Sequence, residues 1–233
     1  LTITGTATFI TATNNKDIIL NQNNVFHSSV TMKAGNGDNA AFKDITFKDS
    51  ATVNLVSSAS SSAGDLFINA TNNLAVGGNL SITATTGNIT QSGALDIEGV
   101  TTLVTLGQGA DIDLAANGTG NAFTGKLLIT TTETSNANDA YATIHGGTTD
   151  LKIGLSAIEG NLTLLSGGEI TDEGIATVEG TLTATTNQLH KIITLNQLAV
   201  TGAFTLAPNG TGAVIIVNAV NLNLAASTMG GTF

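Results

Sequence analysis

Cysteine and arginine are absent, proline occurs once (Pro208), and aromatic residues make up only 4% of the 233 positions. Charged residues make up 10%, against about 25% in an ordinary globular domain. Each scarcity removes a class of protein. Without cysteine there is no disulfide framework, no zinc–thiolate site and no thiol nucleophile. The seven basic residues are all lysines, and they face 17 acidic ones for a net charge of −10. A chain so balanced has no basic footprint with which to release counterions from phosphate, so nucleic acid is not an expected partner. An anionic membrane surface is disfavoured for the same reason. The longest charge-free stretch, residues 192–233, is interrupted by Asn, Thr and Gly. A membrane helix needs about 20 mostly apolar residues in a row, so no membrane insertion is expected. The opening LTITGTATFI has no initiator Met and no charged n-region. It is no signal peptide, and the chain reads as a mature product or a piece of something longer.

What remains is Thr, Asn, Ser, Val, Ile, Leu and 27 glycines. Branched Cβ atoms pack well on a pleated surface and resist the helix, and strong helix formers are scarce, so the chain reads as all-β. Short alternating runs such as Leu80-Ser-Ile82, Leu95-Asp-Ile97, Ile112-Asp-Leu114, Leu151-Lys-Ile153 and Leu162-Thr-Leu164 are each closed by Gly, Asn or Asp. The turn signals recur about every 6 to 10 residues, shorter than sandwich strands usually need. Three short strands per turn and about 20 residues per coil describe a parallel β-helix. The expectation is a single continuous solenoid over residues 1–233, of about 11 to 12 coils at that coil length. Tandem β-sandwich domains are the alternative. Inward side chains would stack like on like at about 4.8 Å.

One stretch repeats. Residues 78–105 read GNLSITATTGNITQSGALDIEGVTTLVT, and residues 160–186 read GNLTLLSGGEITDEGIATVEGTLTATT. They share G-N-L-[ST]-[IL], then I-T-[QD]-x-G, then [IV]-E-G; Gly78 and Gly160 lie 82 positions apart, and Glu98 and Glu179 lie 81 apart. Self-similarity of this length marks a repeat architecture.

That pattern resembles the repeats of filamentous-haemagglutinin-type proteins, which are bacterial surface and secreted adhesins of two-partner secretion. Residues 78–99 and 160–180 carry it most clearly, and Asn-Gly-Thr-Gly corners recur at residues 117–120 and 209–212. The resemblance implies a right-handed parallel β-helix serving as a shaft.

Asp111 and Asp113 follow Gly107-Gln-Gly109 and half-match the calcium nonapeptide, but Leu106 replaces its first Gly and no tandem copy follows. Gly35-Asn-Gly-Asp38 is a tight turn with the wrong spacing for an ion. Glu169, Asp172 and Glu173 form the densest acidic group, as in pectin-degrading β-helices, yet only Lys152 and Lys191 lie near them in sequence as an anion clamp. A solvated corner is the expectation. His27, His145 and His190 share no metal-binding spacing and are read as surface or corner residues. Six sequons begin at Asn69, Asn79, Asn88, Asn117, Asn161 and Asn209. The Thr-x-Thr arrays at residues 2–8 and 181–185 would matter as an ice-binding surface only if they stacked regularly on one flat face.

No catalytic, cofactor-binding or metal-ligating residue is therefore expected, and no cofactor. Residues 1–15 and 192–233 carry no charge, whereas exposed strand edges are ordinarily guarded by charge, proline or caps. The expected function is a non-catalytic extracellular shaft of a bacterial adhesin or surface filament. Its expected partners are neighbouring β-helix coils or copies of itself end to end, and beyond them a host or microbial surface glycan or protein. A self-polymerising filament subunit is the second expectation, and a polysaccharide-binding or -degrading β-helix the third.

Overall fold

The computed structural model describes residues 1–11, 16–26, 30–34, 44–49, 53–56, 66–69, 74–76, 78–91, 93–116, 118–135 and 139–232. Gly35-Asn-Gly-Asp38, His27 and Asn117 lie outside them.

Alternation of branched and polar residues dictates short strands, and the glycine- and asparagine-rich corners bend the chain between them. One coil shows the plan: strands Leu151–Ile153, Ser156–Ile158 and Leu162–Ser166. The next repeats it with Ile170–Asp172, Ala176–Val178 and Leu182–Thr186. Each strand pairs in parallel with its counterpart, as in Leu151↔Ile170, Ala157↔Thr177 and Leu162↔Leu182. The third coil fuses two strands into Ile193–Val200, whose register shifts between Leu195 and Leu198 as it rounds the corner, before Ala203–Ala207. All described pairings are parallel, gathered into sheets of 12, 11 and 3 strands. The fold is a β-solenoid of parallel stacked coils, and the tandem-sandwich alternative is ruled out because its sheets would be antiparallel.

The solenoid makes about 8 turns, fewer than the 11 or 12 expected from a uniform coil. The coils are unequal. Leu151 stacks under Ile170, 19 positions on, but Thr101 stacks under Leu127, 26 positions on, and Ile45 under Leu80, 35 positions on. Some corners are long, and the 35-residue stretch holds two strands of one sheet paired with each other, Val53–Val56 and Leu66–Asn69.

Inside, alternate residues form ladders. Phe47, Ile82, Leu103 and Ile129 stand in one column and are all buried. Leu162, Leu182, Phe204 and Leu224 form another. Its first three members are at most 1% exposed, and Leu224, on the last rung, is 40% exposed. Near the N-terminus the rings of Phe9, Phe26 and Phe47 contact in sequence, with centroids 6.1 and 5.5 Å apart.

Candidate functional site: coil corners and a carboxyl pair

The residues most conspicuous in the sequence sit at corners, and there the polar side chains tie one coil to the next. The Oδ1 of Asn79 accepts the Val100 amide at 2.7 Å, and that of Asn161 accepts the Thr181 amide at 2.7 Å. Asn88 does the same for Asp111 (2.8 Å), Asp111 for Tyr141 (2.8 Å), Asp150 for Glu169 (2.8 Å) and Asp44 for Asn79 (2.7 Å). A strand leaving a corner has an amide with no partner in its own coil, and a short Asx side chain from the preceding coil satisfies it. This explains the asparagine of the repeat's G-N dipeptide and the glycine of its E-G dipeptide. The asparagine is the tie, and the glycine lets coils approach. An added Cβ on Gly99 would fall on the Gly78 carbonyl, and one on Gly180 would lie 2.7 Å from the Gly160 carbonyl oxygen. The amides of Gly99 and Gly180 hydrogen-bond those same carbonyls. Three of the sequon asparagines (Asn79, Asn88 and Asn161) are among these ties, and Asn209 donates through Nδ2 to the Asn187 carbonyl.

The candidate acidic residues serve the same architecture. Asp113 accepts the amide of Ala115 in a local turn, and Asp172 accepts the Gln197 amide at 2.7 Å. Glu173 is exposed and Glu169 half-buried at the corner. The nearby Lys152 donates its ammonium to the Thr124 carbonyl instead of meeting them. Among the described residues no group of three or more His, Asp or Glu is placed to hold a metal ion.

His190 is exposed, holds a left-handed φ of 62°, and meets the Thr211 hydroxyl through Nδ1. His145 stands at the corner that ends strand Ala142–His145, but buried and not at the surface. It is 7% exposed, stacked against Gly118, and its Nδ1 accepts the Gly147 amide at 3.0 Å. Burial lowers its pKa from the usual 6.5. Its carbonyl receives Asn121, whose buried amide also exchanges hydrogen bonds with Gln91.

Threonine 183 stands in a regular outward column with Thr143, Thr163 and Thr205, four rungs of one sheet. The array at residues 181–185 thus contributes one member to a stacked face.

The group that sequence reading missed is a carboxyl pair. Glu133 is 8% exposed; its Oε1 accepts the amide and hydroxyl of Ser135 at 2.5 and 2.6 Å. The neighbouring Asp139 carboxyl, with the Ser135 hydroxyl and amide, holds Glu133 down at about 2. Glu133 in turn, with burial and the charge of Asp111, pushes Asp139 up. Burial and the neighbouring Glu179 and Glu133 raise Glu159. Nothing in the sequence singles out Glu133 or links it to Asp139.

A tube of parallel coils with Asx-tied corners and glycine columns defines a β-helical repeat protein. The family described as Repeats of unknown function (DUF5649) matches residues 1–33, 36–130 and 137–207, and the chain belongs to that family. The chain matches no curated protein and no solved structure.

Proposed function

We propose that the chain is a stiff, non-catalytic shaft segment of a bacterial adhesin or surface filament of the filamentous-haemagglutinin type, working outside the cell. The observation that supports this most directly is the use of corner side chains. Asn and Asp carboxamides and carboxylates that could face a ligand are spent on the amide of the next coil. Each coil is then joined to its neighbour by backbone ladders, aliphatic columns and side-chain ties together. A quasi-one-dimensional stack of this kind resists bending and carries load along its axis. Binding to a host or microbial glycan or protein would fall to a surface the shaft presents. Scattering from the purified protein should fit one straight rod, and electron micrographs should show no hinge. A hinged or globular particle, or turnover of an acidic glycan by the pure protein, would sink the reading.

A second reading, an end-to-end filament subunit, rests on the last described coil. Leu224, which continues the inward Leu162–Leu182–Phe204 column, is 40% exposed there. Fibre growth that rises with protein concentration would favour it over the shaft.

A further inference from the structure

Three successive coils close the same corner with one device. Strands Ile112–Leu114, Ala142–His145 and Leu162–Ser166 pair in parallel. At the outgoing end of each, a side chain accepts the backbone amide two residues on. Asp113 takes the amide of Ala115 at 3.0 Å, His145 that of Gly147 at 3.0 Å through Nδ1, and Ser166 that of Gly168 at 3.1 Å. Of these three residue types only histidine ordinarily changes its charge between about pH 5 and pH 8. A backbone amide can only donate, so the neutral ring carries its hydrogen on Nε2 and offers Nδ1 as a lone pair. The ring is 7% exposed and lies against Gly118 of the preceding coil.

The bend that this bond holds is fitted to the coils on both sides. Gly147 has a left-handed φ of 65°, and an added Cβ there would fall on the Asn121 carbonyl oxygen. Asn121 in turn donates through Nδ2 to the His145 carbonyl at 2.8 Å. On the other side, the Gly147 carbonyl accepts the Gly167 amide at 2.7 Å.

We propose that His145 is a proton-operated latch for the corner of residues 145–149: the neutral ring holds Gly147, and a proton on Nδ1 turns that acceptor into a donor and opens the corner while the remaining coils stay folded. Two N–H groups then point at each other, and the charged ring swings toward water. Gly147 loses its tether, and the Gly167 amide loses a fixed partner. Titratable groups on the elements packed round the ring are Asp113 on the strand beneath, Asp150 at the end of the corner and Glu169 on the coil above. Asp113 is occupied with the Ala115 amide and Asp150 with the Glu169 amide. Burial is the cause that lowers the ring's pKa from 6.5. The sign follows from that direction. The open corner takes up the proton at about the ordinary histidine pKa and the closed one only at lower pH. Opening therefore grows as pH falls below about 6.5 and levels off once the closed ring is protonated too.

The test is amide exchange on the whole chain, labelled with nitrogen-15, between about pH 8 and pH 5. Above about pH 6.5 the ring Nδ1 should resonate as an unprotonated nitrogen and Gly147 protection, corrected for intrinsic rate, should be constant. Below that, protection of the Gly147 and Gly167 amides should fall by up to about tenfold for each pH unit. The Ile193 amide, bonded to the Ala213 carbonyl two coils on, should keep its protection. In His145→Asn the side-chain oxygen takes the place of Nδ1 and accepts at every pH, so Gly147 protection should lose its pH dependence. A proton on Nδ1 at pH 8, or a parent chain whose Gly147 protection is flat with pH, would remove the latch. So would Ile193 losing protection in step with Gly147, which marks global unfolding. An unchanged slope in His145→Asn would assign the titration to another group and refute the role of His145.

Discussion

Thr101 occupies an inward position between Leu80 and Leu127 in the same column, is 1% exposed, and its hydroxyl meets no partner. A buried hydroxyl without a hydrogen bond costs about 1–3 kcal/mol. Thr101→Val keeps the shape and removes that cost, so it should raise the unfolding free energy by about 1–2 kcal/mol in denaturant melts with an unchanged m-value. His145 gives the opposite kind of prediction. Its folded pKa lies below 6.5 because burial disfavours the charged ring. The unfolded chain therefore takes up the proton first, so His145 favours the fold above about pH 6.5 and loses that contribution as pH falls below it. In His145→Gln the difference in melting temperature from the parent should shrink between about pH 7 and pH 5, with the parent losing stability. A gap that does not change with pH would show that the ring titrates as if exposed. The burial of neither residue was legible in the sequence. Thr101 sits in an uninterrupted T-T-L-V-T run that fits either face, and His145 is buried only because Gly118 of the preceding coil lies against it.

At the scale of strands and corners, the period-two pattern located many strands. Leu95–Ile97, Ile112–Leu114 and Leu151–Ile153 coincide with the alternating triplets seen in the sequence. Ser156–Ile158 and Ala176–Val178 did not announce themselves, because Ser and Ala fill inward positions where Leu or Ile would have signalled a strand. The repeat itself was legible as G-N and E-G, but its cause was not. Two residues that look like corner decoration are a hydrogen-bond tie and a close-approach point between coils. Asn161→Ala removes the acceptor for the amide and hydroxyl of Thr181 and should destabilise by about 1–2 kcal/mol. Asn161→Asp should restore most of that, since Asp111 and Asp150 make the same tie elsewhere. Gly180→Ala forces a methyl against the Gly160 carbonyl and should cost about 2–3 kcal/mol, by pushing the coils apart. Chemical denaturation of the three variants orders them, and an Asn161→Asp as weak as Asn161→Ala would refute the tie.

Over the whole molecule, composition indicated a parallel solenoid because so few charges and rings leave only stacked aliphatic ladders to build a core. The number of turns was not legible, since coil length varies and neither the long corners nor the extra paired strand between Ile45 and Leu80 announces itself in the sequence. In such a stack each coil contacts only its neighbours, so the effect of one substitution depends on whether a coil lies above it. The column Leu162, Leu182, Phe204 and Leu224 makes this testable within one side-chain type. Leu182 is fully enclosed, and a lysine there would bury an unpaired ammonium. Leu182→Lys should therefore unfold the coils around it, with loss of the cooperative transition. Leu224 is 40% exposed, and a lysine can carry its charge to water along an apolar stem. Leu224→Lys should leave the melting temperature nearly unchanged. If the apolar last coil stacks on another coil, the same substitution should abolish concentration-dependent association in sedimentation velocity, because a charge on an open strand edge opposes edge-to-edge pairing. A parent chain that stays monomeric at every concentration, with Leu224→Lys identical to it, would remove the filament-subunit reading and leave the shaft segment standing.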